Sequence, residues 1–382
     1  MIPRILDLPN LSFFLLGPRG TGKTTYLRSA LPDAHVVDLL SEETYQRFLA
    51  SPGLFAGELR TVPSDRWVVV DEVQRLPPLL NEVHRFIEER SLRFVLCGSS
   101  ARKLKRTGVN LLAGRALHRS MHPFLPEELG SGFDLVRALR YGLLPIVWAS
   151  EEPQETLSAY ARMYLKEEIQ AEAVVRNLPG FARFLPIAAL FHGQVVNVTN
   201  IAREAGVART TAAGYLEILE DTLLAFRLPA YQSRLRVRER KLPKWYWCDA
   251  GIVRALKGAS GEPIPEERGP LFEGLVAQMI RAYRDYRGLC DAVSYWAPAE
   301  RAQTEVDFLL QHGDQFAAVE AKVGRVFSET WCKGLRAARE LPGLSRRIVV
   351  YPQGPELRTE DGIEVMPLER FSNLLATGGL WN

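Results

Sequence analysis

The sequence predicts an α/β chain: a parallel sheet with flanking helices in the N-terminal third, then a helical stretch, and a second α/β unit at the C-terminus. Three observations carry this. Short apolar runs alternate with helix-compatible segments, the pattern of a buried parallel sheet. A glycine-rich loop joins the first apolar run to the first of those helices. Near the C-terminus, two apolar runs flank a four-residue turn. In order, the pattern reads strand 13–16, helix 23–30, strand 36–39, helix 42–49, strand 67–70, helix 79–89 and strand 93–97, with a further strand near 117–121.

Composition bounds the possibilities. The 382 residues are 47% apolar and 24% charged, close to the average for globular proteins, and the length suggests two or three domains of about 100–200 residues each. The formal charge of +3, from 48 basic and 45 acidic residues, excludes a strongly basic nucleic-acid coat but leaves room for a local basic patch. Cys97, Cys248, Cys290 and Cys332 lie far apart, without CxxC pairs, and the six His lack metal spacing. Dispersed thiols of this kind read as reduced and mostly buried, which places the chain in the cytoplasm. No apolar run approaches the roughly 18–20 residues of a membrane span. Leu11–Leu16 is short and runs into the glycine loop, so it reads as a core strand and not as a signal peptide.

The glycine loop is Gly17-Pro18-Arg19-Gly20-Thr21-Gly22-Lys23-Thr24-Thr25. It fits G-x-x-x-x-G-K-[ST], with a strand before it and a helix after it, which is the context a phosphate-binding loop requires. Glycines let the backbone curl so that its N–H groups face phosphate oxygens, and the helix N-terminus adds positive potential. Lys23 is expected to reach the β- and γ-phosphates of ATP or ADP, and Thr24 to ligate Mg²⁺. Trp67-Val-Val-Val-Asp71-Glu72 supplies the matching strand with two terminal acids. Asp71 is expected to hold the magnesium shell, and Glu72 to polarise the attacking water. Beyond Arg93–Cys97, Ser99 or Ser100 either senses the γ-phosphate or caps a helix beginning at Ala101. Arg115 is either a surface arginine or a phosphate-contacting finger, in cis or in a neighbouring subunit.

From about 125 to 180 the chain turns helical. Glu155–Val175, without internal Pro or Gly, reads as one long helix or a broken pair forming a lid over the nucleotide. Asn197–Thr211 with Tyr215–Leu219 reads as a helix-turn-helix that turns at Gly206, with Leu216 and Leu219 facing inward. Arg209, Thr210 and Thr211 sit where a recognition helix enters the major groove. Glu217, Glu220 and Asp221 follow on the same helix and disfavour phosphate, so DNA contact and a purely structural role both stand. At strand period Arg234, Arg236, Arg238 and Arg240 share a face, and Lys241 continues the run. The segment is either a basic wing along a phosphate backbone or a charge-guarded edge strand.

Gly258–Pro270 reads as a flexible loop, followed by a helix over Phe272–Ile280 that carries Glu273. Glu305-Val-Asp307-Phe-Leu-Leu310 and Phe316-Ala-Ala-Val-Glu320-Ala-Lys322 read as strands of a hairpin. Alternation places Glu320 and Lys322 on one face, and the turn brings Asp307 across to it. Two carboxylates and a lysine on adjacent strands suit a divalent-metal site with a water activator. This is the D-x(n)-E-x-K core of PD-(D/E)XK nucleases. In that reading Asp307 and Glu320 ligate Mg²⁺, Glu273 supports the metal, and Lys322 orients or helps to deprotonate the attacking water. The other reading is a surface Glu–Lys pair beside a turn. Lys333, Arg336 and Arg339 recur every three residues, as one basic helix stripe does.

Taken in order, Gly17–Thr24, Asp71–Glu72, Leu112–Arg115, Asp249-Ala-Gly251, Glu273 and Asp307–Glu320–Lys322 resemble one family over nearly the whole chain. It comprises bacterial and archaeal AAA-type ATPases whose C-terminal domain, of unknown function, has a PD-(D/E)XK-like core. One departure is that Ala-Glu precedes Arg301 where a nuclease might show Pro-Asp; the motif acid Asp307 follows Val306. The resemblance implies a P-loop NTPase domain over 1–125, a helical lid over 126–180, a winged helix over 181–245 and a restriction-endonuclease-like α/β domain over 246–382. It also implies ATP hydrolysis with Mg²⁺. Two functions follow: an ATPase coupled to a metal-dependent nuclease acting on DNA, or a nucleotide-switched DNA- or protein-binding module with an inactive nuclease-like domain. A homo-oligomer, such as a ring, is expected because AAA-type sites often lie between subunits.

Overall fold

The computed structural model describes residues 2–100, 112–164, 178–232, 242–298 and 304–381. The chain divides into two compact units. One is Arg4–His122 with Ile218–Leu224, and the other is Pro123–Glu217 and Ala225–Asn382 with the first three residues.

In the first unit the strands are β1 (Phe13–Leu16), β2 (His35–Asp38), β3 (Trp67–Asp71), β4 (Arg93–Gly98) and β5 (Leu117–Ser120). They form one sheet in the order β2-β3-β4-β1-β5, with every pairing parallel. Phe13, Phe14, Leu15 and Leu16 are all buried, as a central parallel strand covered on both faces must be. The helices are α1 (Lys23–Ala30), α2 (Glu42–Ala50), α3 (Pro52–Thr61) and α4 (Leu79–Arg90). Helix α2 starts where the Ser41 hydroxyl accepts from the Thr44 N–H. The α4 face of Leu79, Leu80, Val83 and Phe86 packs into the core with Val68, Val70, Phe94 and Leu96. Helix α3 was not expected from the sequence. Gly53 and Gly57 weaken its helical signal, but Pro52 opens it at a first-turn position and Phe55, Ala56 and Leu59 are buried.

The order of strands positions the chemistry. Because β4 lies between β1 and β3, the residues after β4 fall between the loop that follows β1 and the acids that end β3.

The second unit opens with short helices α5 (Pro126–Leu129), α6 (Leu135–Tyr141), α7 (Pro145–Trp148) and α8 (Pro153–Ala159). Helix α8 passes directly into a π-turn at Tyr160–Tyr164; the remainder of the expected lid helix lies outside the described residues. Helix α9 (Leu178–Leu190) and strand β6 (Gln194–Val195) precede α10 (Val198–Ala205) and α11 (Arg209–Asp221). Asn197 caps α10 by accepting from the Thr199 N–H, and Gly206 ends it at φ +63°, the left-handed conformation that glycine adopts freely. Tyr215, Leu216 and Leu219 are buried, as the helix-turn-helix pattern requires. Strands β7 (Ala225–Leu228) and β8 (Lys244–Trp247) pair antiparallel, with β6 on the other side of β8.

Helix α12 (Ala250–Leu256) leads to α13 (Pro265–Arg287). Helix α13 begins inside the stretch expected to be a loop. Pro265 sits at its first position and Glu266 and Glu267 in its first turn, where a missing N–H is harmless and negative charge is favourable. A sheet of β9 (Ala292–Trp296), β10 (Val306–His312), β11 (Gln315–Ala321), β12 (Leu344–Tyr351), β13 (Leu357–Arg358) and β14 (Glu364–Pro367) follows, in the order β13-β14-β12-β11-β10-β9. Strands β10 and β11 form the expected hairpin, closing on His312↔Gln315 with Gly313 at φ +58°. Between β11 and β12 lies a short helix, α14 (Lys333–Ala337). The basic stripe does not stay helical, since α14 gives way to a 3₁₀ turn at Ala338, and Arg336 pairs with Glu329 and Asp361.

Candidate functional site

The loop after β1 is shaped by its glycines. Gly20 and Gly22 adopt φ of +82° and +83°, where any side chain is strained. A Cβ on Gly17 would lie 2.3 Å from the Met121 carbonyl oxygen. The Thr21 hydroxyl donates to the Pro18 carbonyl at 2.8 Å, and Arg4 clamps the outside by donating to the Thr21 and His122 carbonyls at 2.9 and 2.6 Å. Helix α1 then starts at Lys23 without any side-chain cap. Its first N–H groups are therefore left for an anion. The Lys23 ammonium is buried and donates to the carbonyls of Gly17 and Pro18 at 2.7 and 3.1 Å. Carbonyls are weak partners for a buried ammonium, and phosphate oxygens are better ones.

At the end of β3 the Thr24 hydroxyl donates to Asp71 Oδ2 at 2.7 Å, and Asp71 Oδ1 accepts the Glu72 N–H at 3.0 Å. The pair presents a hydroxyl and a carboxylate, the oxygen donors Mg²⁺ prefers, so these residues fit the magnesium of a bound nucleotide. Glu72 has φ +54°, a conformation that costs a non-glycine residue about 1–3 kcal/mol and recurs at functional sites. Its carboxylate accepts from the Gln74 side-chain amide and from the Ser99 hydroxyl, the latter at 3.3 Å. The same Gln74 amide donates to Ser99 at 3.2 Å. Ser99 thus stands beside Glu72, as its position after β4 requires. Gln74 was missed in the sequence because no motif marks it. Its closeness to Gly98, where an added Cβ would lie 2.3 Å from Gln74 Oε1, is visible only in the fold. Arg115 is exposed and pairs with Glu88. Arg19 and Thr25 are exposed on the loop and on α1.

In the second unit Glu273, Asp307, Glu320 and Lys322 do come together, but with two partners the sequence did not announce. Lys244, from β8, places its ammonium 2.9 Å from Glu273, 3.2 Å from Glu305 and 3.2 Å from Asp307. Lys322 lies 2.6 Å from Glu320 and 3.5 Å from Asp307. Register explains the hairpin half: Phe308 faces Val319, so the neighbouring residues Asp307 and Glu320 face each other, and the Asp307 N–H reaches Glu320 Oε2 at 3.2 Å. Asp307 Oδ2 also accepts the Ala321 N–H at 3.0 Å, and the Tyr246 hydroxyl donates to Glu273 at 2.5 Å. The expected polar face is buried, with Asp307 1% and Lys244 1% exposed.

Burial shapes the titration of this cluster. Burial, with the charge of Asp307, pushes the Glu273 carboxyl up to about 7 and Glu320 up to about 8. Burial acts against ionised Asp307 too, but Lys244 and Lys322 hold it below the ordinary range. Burial opposes the Lys244 charge, and Glu273, Tyr246, Asp307 and Glu305 together hold its pKa well above the usual value. Glu273 and Glu320, with raised folded pKa values, add stability that is full below about 4.5 and is lost as pH rises through about 7–8. The expected result is a melting temperature that falls from pH 6 to pH 9, and a flatter profile for Glu320→Gln in a thermal-denaturation series.

A metal fits this cluster poorly. Among the described residues, no group of three or more His, Cys, Asp and Glu is arranged to hold a metal ion. The carboxylates that would form one spend their oxygens on two ammonium groups. Arg209 and Thr210 are exposed at the start of α11. Arg234, Arg236, Arg238, Arg240 and Lys241 lie outside the described residues. All four cysteines are free and buried.

Asp249 has a structural role. It caps α12 by accepting from Gly251 and Ile252, and it accepts the Leu143 N–H at 2.6 Å. Asp249→Ala strands these buried donors, and a loss of about 2–4 kcal/mol in urea unfolding is expected.

Residues 10–130 match the model of an AAA domain. The strand order and the loop agree with that match, which supports an AAA-type P-loop ATPase. Residues 132–262 match a domain of unknown function, DUF8612, and residues 268–371 another, DUF4143. Uncharacterized proteins of Mycobacterium bovis and Mycobacterium tuberculosis are each 27% identical over 376 residues, covering 96% of this chain and 81% of theirs. Among solved structures, protein VC1899 from Vibrio cholerae aligns over 97% of both chains at 13% identity with a TM-score of 0.25. A signal-transduction ATPase with numerous domains from Pyrococcus horikoshii aligns over 73% of this chain and 46% of its own at 12% identity and a TM-score of 0.22. Among the described residues, no helix is long and apolar enough to cross a membrane.

Proposed function

We propose that this protein binds and hydrolyses ATP with Mg²⁺ at the loop after β1 and uses the nucleotide state to switch the binding of DNA. The observation that carries the hydrolytic part is the convergence of Lys23, Thr24, Asp71, Glu72 and Ser99 at the ends of β1, β3 and β4. When ATP binds, Lys23 exchanges the Gly17 and Pro18 carbonyls for phosphate oxygens. Thr24 and Asp71 would hold the magnesium, which would supply charge neutralisation to the phosphates. Glu72 accepts a proton from the attacking water as ADP leaves the γ-phosphorus, and Ser99 holds the Glu72 carboxylate in place. Arg115, paired with Glu88, would exchange that partner for a phosphate of a neighbouring subunit. Phosphate release measured for wild type and Lys23→Ala tests this directly: turnover that survives the substitution would refute it.

For DNA, α10, the Gly206 turn and α11 followed by the β7–β8 pair support a winged helix, with Arg209 and Thr210 exposed at the start of its second helix. Binding of duplex DNA, with and without ATP, across a salt series tests this. A steep salt slope that is reduced by about one in Arg209→Ala is expected; absence of DNA binding at low salt would point to a protein partner. The second reading, a metal-dependent nuclease, is supported by the order Glu273, Asp307, Glu320, Lys322. Lys244 inside the carboxylates favours the switch without cleavage. Labelled DNA incubated with Mg²⁺ or Mn²⁺, with and without ATP, in wild type and Lys322→Ala distinguishes the two.

A further inference from the structure

Strand β8 does something that a β-strand core has no need of: it carries a lysine into a nest of acids and buries it there. Only 2% of the Lys244 side chain is exposed, and its ammonium lies within 3.2 Å of carboxylate oxygens from Glu273 on α13, Glu305 and Asp307. A hard divalent ion takes several such oxygens at 2.0–2.6 Å. An ion that used these three oxygens would sit in contact with the ammonium, where like charges repel in a site shielded from water. The Tyr246 hydroxyl, two residues along the strand, fixes the Glu273 carboxylate from the same side. The Tyr295 ring lies 5.6 Å from the Lys244 ammonium and shields it further.

We propose that Lys244 is the resident cation of this cluster: β8 inserts an ammonium where a divalent ion would have to lie, and the C-terminal sheet therefore carries a latent divalent-cation site that opens when Lys244 is removed. This deepens the reading of the C-terminal domain as a module that does not cleave. Lys322 shares Asp307 with Lys244 but keeps Glu320 as its nearer partner, at 2.6 Å against 3.5 Å. The ligand class is a hard divalent cation with an affinity for carboxylate oxygen.

The test uses Mn²⁺ as the probe and electron paramagnetic resonance as the readout, on the full chain without nucleotide. All variants carry Asp71→Asn, so that the loop after β1 contributes no binding. The parent is expected to leave Mn²⁺ free, and Lys244→Ala to bind it at least tenfold more tightly. The Lys244→Ala variant is also expected to melt at a lower temperature than the parent and to recover with Mn²⁺, whereas the parent does not respond. Mn²⁺ binding by the parent that disappears on Asp307→Asn would overturn the proposal, as would a folded Lys244→Ala variant that ignores Mn²⁺. Lys244→Gln provides a second, bulkier replacement. If both replacements fail to fold even with Mn²⁺, the parent decides alone: silence agrees with a resident ammonium, and binding that depends on Asp307 refutes it. ATP turnover is a separate readout on Asp71-intact protein, so failure here leaves the hydrolytic reading standing.

Discussion

Replacing Glu72 by Gln is expected to lower ATP turnover by roughly 10²–10⁴-fold, the usual worth of a positioned general base, while nucleotide affinity is retained. The argument rests on what the substitution keeps. Gln has the same shape, so the backbone at φ +54° and the contacts to Gln74 and Ser99 have their counterparts. What it removes is the ability to accept a proton. Lys23, Thr24 and Asp71, which are proposed to hold the nucleotide, are untouched. Steady-state phosphate release together with a fluorescent-nucleotide titration separates the two quantities. Unchanged turnover would move the base elsewhere, and lost affinity would mean that Glu72 shapes the loop and not the chemical step.

The second large effect is expected on stability. Asp307→Ala should cost about 3–5 kcal/mol, the range for breaking a buried charge pair by removing one partner. Asp307 is 1% exposed and accepts from Lys244 and from the Ala321 N–H. Truncation leaves the Ala321 donor without that partner and reduces the compensation of two ammonium groups at once. A urea midpoint that falls with an unchanged slope is the expected signature. Because Asp307 has a lowered pKa in the fold, its own contribution is present above about pH 4 and is lost as pH falls through the folded value. An effect below about 1 kcal/mol would mean that solvent reaches the cluster and screens it.

The first unit was legible because its signals are local. A buried parallel strand is a continuous apolar run, and a phosphate-binding loop is a fixed spacing of glycines with a lysine; neither needs knowledge of distant residues. Strands β1 to β5 fall within a residue or so of their expected bounds for that reason. Helix α3 escaped because glycine lowers helix propensity while tertiary burial of Phe55 and Leu59 overrides it. The C-terminal hairpin was legible for the same local reason, through alternation about a short turn. Lys244 was not, since it meets Glu273 and Asp307 across 29 and 63 residues of sequence. A lysine between a basic segment and an aromatic run looks like the last member of the basic segment. Its place in β8, paired with β7 on one side and β6 on the other, is visible only in the fold.

That strand has an optical consequence. Trp245 and Trp247 follow Lys244 within β8 and are completely buried, as is Tyr246 between them. Two of the seven tryptophans in the chain therefore sit within three positions of the lysine that anchors the strand. A displacement of β8 as a whole would carry both indoles toward water, and the emission maximum would then move to longer wavelength. The protein thus contains a native fluorophore pair at the position of β8, readable without a label in a stopped-flow experiment during nucleotide addition.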